Sequence, residues 1–300
     1  MAPTPVTEHT YLPAQTYQWR DWAIAYRQSG DAGPPVVLIH GFGASSLHWR
    51  KNLPVLGATF QVYALDLIGF GQSAKPNPDN FAYTFDHWAQ LVLDFCQDII
   101  GEPVFLVGNS IGCVVALQAA VTEPNRVRGL ALLNCSLRQL HHRNREKLPW
   151  YQQWGVNLVQ KFLAYPPLGH LFFASLAKPK AIRKILCQAY ASADAVSDEL
   201  IDIIYQPARD PGAADVFIAF ITYSDGPLPE DLLAQITCPT LILWGEKDPW
   251  EDYRVGQEWV KFPGVKEFIL LPGLGHCPQD QDPDVVNTYL QTFLADLALR

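Results

Sequence analysis

Apolar residues fall in short runs along this chain, and two kinds of spacing alternate. Val36 to Ile39, Gln61 to Leu65, Val104 to Gly108, Gly129 to Leu133, Thr240 to Trp244 and Glu267 to Leu271 are short, mostly branched apolar stretches closed by Gly, Asp or Ser. That is the pattern of strands buried on both faces. Tyr17 to Ser29 alternates around Asp21 and predicts a hairpin on a sheet edge. Between the runs the spacing becomes helical. After Thr84, a predicted N-cap with Asp86 in the first turn, apolar residues recur at 85, 88, 92, 95, 96 and 99. Pro283 to Leu299 reads as an amphipathic closing helix, Tyr253 to Phe262 as a helix and Leu47 to Gly57 as a short one. Strands alternating with helices predict βαβ units in a mainly parallel, eight-stranded sheet with helices on both faces.

The alternation breaks at Ser136. From there to about Gln235 no buried strand is evident, and short helices separated by Pro and Gly are expected. Residues 1–135 and 236–300 then form an α/β core, with 136–235 inserted between sheet strands as a helical cap.

Composition narrows the classes. With 49% hydrophobic and 17% charged residues, the 300-residue chain can bury a sizeable core, which excludes disordered and fibrous proteins. A net charge of −8 argues against nucleic acid as a partner. The six cysteines, at 96, 113, 135, 187, 238 and 277, lack C-x-x-C pairs and read as small buried hydrophobes in a reducing compartment. Neither a disulfide framework nor a metal site is expected. The opening MAPTPVTEHTYLPAQTYQWR holds no apolar run of signal-peptide type, so secretion is not expected. No run approaches the ~18 apolar residues of a membrane span.

One segment departs from the average. Between Ser136 and Tyr190 nine Lys and Arg (138, 143, 145, 147, 161, 178, 180, 183, 184) face a single acid, Glu146, and surround the uncharged stretch from Phe162 to Ala177. Apolar surface bordered by cations suits peripheral contact with an anionic membrane, at about 1 kcal/mol per basic residue near the surface. Equally, the segment can fold its apolar side over the active site and leave its charges in water. Trp150, Tyr151, Trp154, Phe162, Phe172 and Phe173 line an apolar tunnel or pack the cap.

The chemistry centres on Val104 to Ala120, a strand run, the turn Gly108-Asn109-Ser110-Ile111-Gly112, and a helix run. A serine on so sharp a strand-to-helix turn holds its hydroxyl clear of the sheet as a nucleophile. It needs a base, and the base an orienting carboxylate. Asp248 in Trp244-Gly245-Glu246-Lys247-Asp248 and His276 in Leu274-Gly275-His276-Cys277-Pro278 both lie on loops after later strands. Glu246 and Asp252 are weaker rivals for the acid. The N–H of Ile111 and, from His40-Gly41-Phe42-Gly43, that of Phe42 are the expected oxyanion donors. His40 reads as a strut of that loop. A serine rather than an aspartate at 110 points to acyl transfer instead of an alkyl-ester route.

GNSIG, HGFG and the order Ser110, Asp248, His276 resemble the α/β-hydrolase superfamily, over nearly the whole chain. More narrowly, VVLIHGFGASSLHWRKNLPVL, VYALDLIGFGQSAKP, LALLNCS, LILWGEKDPW and GHCPQDQDP are similar to the plastid and cyanobacterial branch containing pheophytinase and chlorophyll dephytylase. The resemblance implies a cofactor-free enzyme with catalysis on Ser110, Asp248 and His276 and an oxyanion hole at Phe42 and Ile111. Its implied substrate is the phytyl ester of chlorophyll or pheophytin, reached in the cytoplasm or at an internal, thylakoid-type membrane. A carbon–carbon bond hydrolase with an Arg-lined pocket and a membrane-lipid acyl hydrolase of the same fold remain alternatives. A non-catalytic ligand pocket is the alternative from another class.

Overall fold

Side chains alternate across the strands, so each face of the sheet closes its own core. In the computed structural model, which describes residues 11–299, Val37 and Ile39 of β3 (Pro35–Ile39) join one buried cluster while Val36 and Leu38 join another. β5 (Val104–Asn109) behaves alike, with Val104 and Leu106 on the first side and Phe105 and Val107 on the second. The other strands are β1 (Gln15–Trp19), β2 (Trp22–Ser29), β4 (Gln61–Leu65), β6 (Val127–Leu133), β7 (Thr240–Gly245) and β8 (Val265–Leu271). Their order is β1-β2-β4-β3-β5-β6-β7-β8. β1 pairs antiparallel with β2, and β2 with β4; the remaining pairs are parallel. The mainly parallel eight-stranded sheet is the one the apolar runs predict.

Helices α1 (Phe85–Phe95) and α2 (Ile111–Thr122) cover the first face, with Phe85, Trp88 and Val114 fully buried. Each such side chain contributes roughly 1.5–3 kcal/mol of transfer free energy. Thr84 caps α1 as expected, its hydroxyl accepting the His87 N–H at 3.3 Å. The closing helix, Pro283–Ala298, buries Val286, Leu290 and Leu294 against the second face. Two expected helices are shorter. Residues 47–57 divide into the turns Ser46–Trp49 and Leu53–Leu56, because Pro54 cannot donate the N–H a continuous helix needs there. Tyr253–Gln257 passes into the tighter turn Glu258–Lys261.

Between β6 and β7 the described residues form helices and turns only. The longer ones are α3 (Trp150–Ala164), α4 (Pro166–Leu176), α5 (Pro179–Ala189), α6 (Asp198–Tyr205) and α7 (Ala213–Thr222). A third apolar cluster joins this segment to the sheet, packing Ile182, Leu186, Ala189 and Tyr190 with Leu200 and with Cys277. No described helix is long and apolar enough to cross a membrane.

Candidate active site

β5 delivers Ser110 at its carboxyl end, and α2 begins one residue later. Ser110 has φ 56° and ψ −120°, a left-handed-side conformation that costs a non-glycine residue of order 1–3 kcal/mol. The bend is held from outside: the Ser110 N–H donates to Leu133 O at 3.0 Å, and Ser110 O accepts the Ser136 N–H at 3.2 Å. The flanking glycines answer to close approach. A Cβ on Gly108 would lie 2.5 Å from the backbone of Gly112 and Cys113, and one on Gly112 would lie 2.3 Å from Ile39 O.

Asp248 and His276 meet on the loops after β7 and β8. The His276 Nδ1–H donates to Asp248 Oδ2 at 2.7 Å, and both side chains are buried. Asp248 is held on every side: Asn134 Nδ2 donates to Oδ2 at 2.7 Å, and the N–H groups of Trp250 and Glu251 donate to Oδ1 at 2.9 and 3.1 Å. Burial alone would raise this carboxyl. The hydrogen bond and charge of His276, with the Asn134 amide and Trp250 N–H, outweigh burial and hold it below the usual carboxylate range. Glu246 instead accepts the Gly273 N–H, and Asp252 caps Tyr253–Gln257 through the Arg254 N–H, so the two rivals serve local turns.

With Nδ1 committed to Asp248, the imidazole's other nitrogen remains for a substrate proton. His276 and Ser110 line one cavity of about 400 Å³, bounded also by Gly41, Phe42, Ile111 and Ser136. Among the described residues the Ser110 hydroxyl has no hydrogen-bond partner, and it shares that cavity with the His276 ring. The N–H groups of Phe42 and Ile111 likewise have no acceptor among the described residues. Their loop presses on the elbow, since a Cβ on Gly41 would sit 3.1 Å from Ser110 Cβ. His40 is a strut: its Nε2 accepts the Leu67 N–H at 3.0 Å and its Nδ1 donates to Gly41 O at 2.7 Å. Burial pushes the His40 pKa down, so the ring is neutral.

The expected lining residues are placed differently. Trp154, Phe162 and Phe172 are exposed and line neither this cavity nor the one beside it. Phe173 lines the neighbouring cavity, and the side chains of Trp150 and Tyr151 lie outside the described residues. Apolar walls come instead from Phe42, Ile182, Ile185, Leu186, Phe220 and Trp250. Two polar residues to which the sequence alone assigned no role bind the site together. Asn109 Nδ2 donates to His276 O at 3.0 Å and to Leu133 O at 3.2 Å, fixing the histidine loop to the elbow. Asn134 joins Asp248 to β7, its Oδ1 accepting the Gly245 N–H at 3.0 Å. An asparagine directly after a buried strand is the signal for the second, because Asn tolerates the left-handed φ of 46° found there.

A buried ionic cluster underlies the histidine loop. Asp280 pairs with Arg50 at 2.6 Å and Lys51 at 3.2 Å and accepts the Tyr190 hydroxyl at 2.9 Å; that hydroxyl accepts from His48 Nε2 at 2.6 Å. Burial would raise the Asp280 carboxyl, but its interaction with His48, the charges of Arg50 and Lys51 and the Tyr190 hydroxyl hold it low. His48, itself driven down to about 4 by burial, is neutral at pH 7, which leaves Arg50 and Lys51 as the working charges. Asp280→Ala takes from Arg50 its shorter ion pair, leaving the one with Glu199 at 3.1 Å, and leaves the Tyr190 hydroxyl without its carboxylate acceptor; it is expected to cost roughly 3 kcal/mol of stability, read from the urea midpoint at pH 7. The lowered carboxyl stabilises the fold above its ordinary value and ceases to as pH falls through its folded value. The gap to wild type should therefore close in acid; a constant gap would assign the loss to packing.

A model described as "Alpha/beta hydrolase family" matches residues 36–288. Pheophytinase, chloroplastic, of Arabidopsis thaliana is 27% identical, over 88% of this chain and 62% of its own length, so the chain spans less than two thirds of that relative. The uncharacterized hydrolase YugF of Bacillus subtilis is 26% identical, over 86% of this chain and 89% of its own. Among solved structures, a membrane phospholipase A described as a bacterial virulence factor superposes with TM-score 0.74 at 26% identity, covering 95% of this chain and 86% of that one.

Proposed function

The chain belongs to the alpha/beta hydrolase family, and on that premise we propose that it is a serine hydrolase of a hydrophobic carboxylic ester. The observation that carries this reading is His276, held by a buried 2.7 Å bond to Asp248, sharing one cavity with a serine raised on a strained elbow. His276 takes the Ser110 proton as the hydroxyl oxygen attacks the ester carbonyl, and the Phe42 and Ile111 N–H groups receive the oxyanion. His276 then protonates the departing alcohol, and a water activated by the same ring releases the acid and restores Ser110. No cofactor takes part in these steps.

The leading substrate is a phytylated chlorophyll or pheophytin, supported by the largely apolar cavity and the likeness to pheophytinase. Two features support an encounter at a membrane face. Trp154, Leu158 and Phe162 recur at i, i+4 and i+8, forming one exposed stripe on α3, and Leu171 and Phe172 are exposed on α4, the next helix. The basic excess around them is partly consumed within the fold: Arg138 donates to Asp225 O and Pro227 O, Arg143 pairs with Asp231, and Arg183 with Asp198. Lys161, Lys178, Lys180 and Lys184 stay exposed and without an ion pair among the described residues. They border the stripe with the charge that anionic lipid attracts.

A membrane-lipid acyl hydrolase is the second reading, favoured by the same exposed stripe and by the phospholipase likeness. The carbon–carbon hydrolase reading loses ground, because no arginine among the described residues lines either cavity. Chlorophyll a, pheophytin a and a galactolipid, each presented in neutral and in anionic vesicles, separate the alternatives. Released phytol, faster from anionic vesicles with which the protein co-sediments, is the expected result. Fatty acid without phytol would favour the lipid reading, and no product from any substrate would remove the ester assignment.

A further inference from the structure

Beside the catalytic cavity lies a second chamber of about 160 Å³. Phe42, Gly43, Ala44, Ile182, Ile185 and Ile204 wall both, so the two spaces adjoin along a common apolar partition. The Phe42 ring is the centre of that partition. It stacks on Phe220, which lines the catalytic side, at 4.3 Å and 22°, and lies 5.7 and 5.8 Å from Phe70 and Phe217, which line the other. Beyond the partition the walls are Phe70, Phe173, Leu176, Ala208, Ala213 and Phe217, brought together from the β4–α1 loop and from α4, α6–α7 and their connection. Lys75 is the charged residue among them, and its ammonium is already committed to Gly71 O at 2.7 Å and Asp210 at 2.8 Å. The chamber therefore offers little to a polar group. It also lies under α4, whose Phe173 and Leu176 face inward while Leu171, 70% exposed, faces outward.

We infer that this second chamber is a chain-binding arm of the active site, taking the distal part of a long aliphatic chain whose ester carbon sits at Ser110. The inference rests on the ester-hydrolase reading and specifies its substrate class: an ester with a chain long enough to pass Phe42, selected by the chamber beneath α4. A short ester occupies the catalytic cavity alone and gains nothing from the arm. Phe42 thereby acts twice, with its backbone N–H toward the oxyanion and its ring as the edge over which the chain bends.

Ala208→Trp and Ala177→Trp each fill the far chamber from a partly exposed position, remote from Ser110, and the two come from different elements. Two matched series test them: p-nitrophenyl esters from butyrate to palmitate, with the chain on the acyl side, and acetate esters from butyl to hexadecyl alcohol, with the chain on the alcohol side. In one series kcat/KM for the long member should fall roughly 10–100-fold in both variants while the short member stays within two-fold. The responding series identifies the side of the ester the arm holds. Unchanged chain-length profiles in both variants, or equal losses on short and long esters, would overturn the inference. If wild type hydrolyses neither series, the ester reading itself fails. Binding of a fluorescent fatty acid then decides the chamber alone: weakening by Ala208→Trp and Ala177→Trp upholds it, and unaltered binding refutes it.

Discussion

Ser110→Ala is expected to lower kcat for ester hydrolysis by roughly 10⁵–10⁶-fold and to leave KM within a few-fold. The loss falls on kcat because the hydroxyl forms a bond only in the acylation step, whereas the apolar walls that hold the ester are untouched. Folding should be little affected. The φ of 56° is as unfavourable for alanine as for serine, and the hydroxyl has no hydrogen bond to lose among the described residues. The melting temperature should therefore stay near that of wild type, which separates lost chemistry from lost structure. Covalent labelling by an alkyl fluorophosphonate should vanish in the variant. His276→Ala should be almost as damaging, and the double variant hardly worse, because groups acting as one unit are not additive. Retained turnover in Ser110→Ala would move the nucleophile elsewhere, with Ser136, the other serine lining the cavity, as the next position to test.

What could be read in advance divides by range of interaction. The strands were legible because burial on both faces is written locally as an unbroken apolar run in Val36 to Ile39 or Val104 to Gly108. The elbow was legible because Gly108 and Gly112 stand where helix and strand leave no room for a Cβ. Asp248 and His276 followed from loops after later strands, and the 2.7 Å contact joins them across 28 residues. Asn109, Asn134 and Asp280 were not legible in the same way. Each acts through hydrogen bonds or ion pairs to partners remote in sequence, such as Asn134 to Asp248 and Asp280 to Arg50, and no spacing rule encodes those. The aromatic residues of α3 and α4 failed for a different reason. Composition located the apolar segment, but the face each helix turns inward depends on what it packs against, so Phe173 went in while Phe162 and Phe172 went out. The basic excess was likewise countable, whereas its partial consumption by the Asp198 and Asp231 carboxylates and by the Asp225 and Pro227 carbonyls required the fold.

Asp248→Asn is expected to cost roughly 10⁴-fold in kcat with the loop geometry preserved. Asn134 already donates to Oδ2, the same oxygen that accepts from His276. An amide at 248 must put its NH₂ either in place of Oδ1, setting donor against the Trp250 and Glu251 N–H groups, or in place of Oδ2, toward His276 and Asn134 together. The second arrangement makes Nδ1 an acceptor and moves the ring proton to Nε2, the nitrogen that has to receive the Ser110 proton. The pH dependence of stability supplies an independent check. Because the Asp248 carboxyl lies below its ordinary range, the ionised side chain stabilises the fold fully above the unfolded carboxylate value near ~4. That contribution disappears as pH falls through the lower folded value. Urea midpoints of wild type and Asp248→Asn should consequently differ most at neutral pH and approach each other in acid. Asn134→Ala, which removes one donor and leaves the carboxylate, should lose far less turnover than Asp248→Asn. If the two variants were equally slow, the role assigned to the carboxylate would pass to the asparagine scaffold around it; if Asp248→Asn turned over at the wild-type rate, His276 would need another orienting group, and Glu251, which lines the same cavity and is pushed up to about 7 by burial, is the carboxyl within reach of that test.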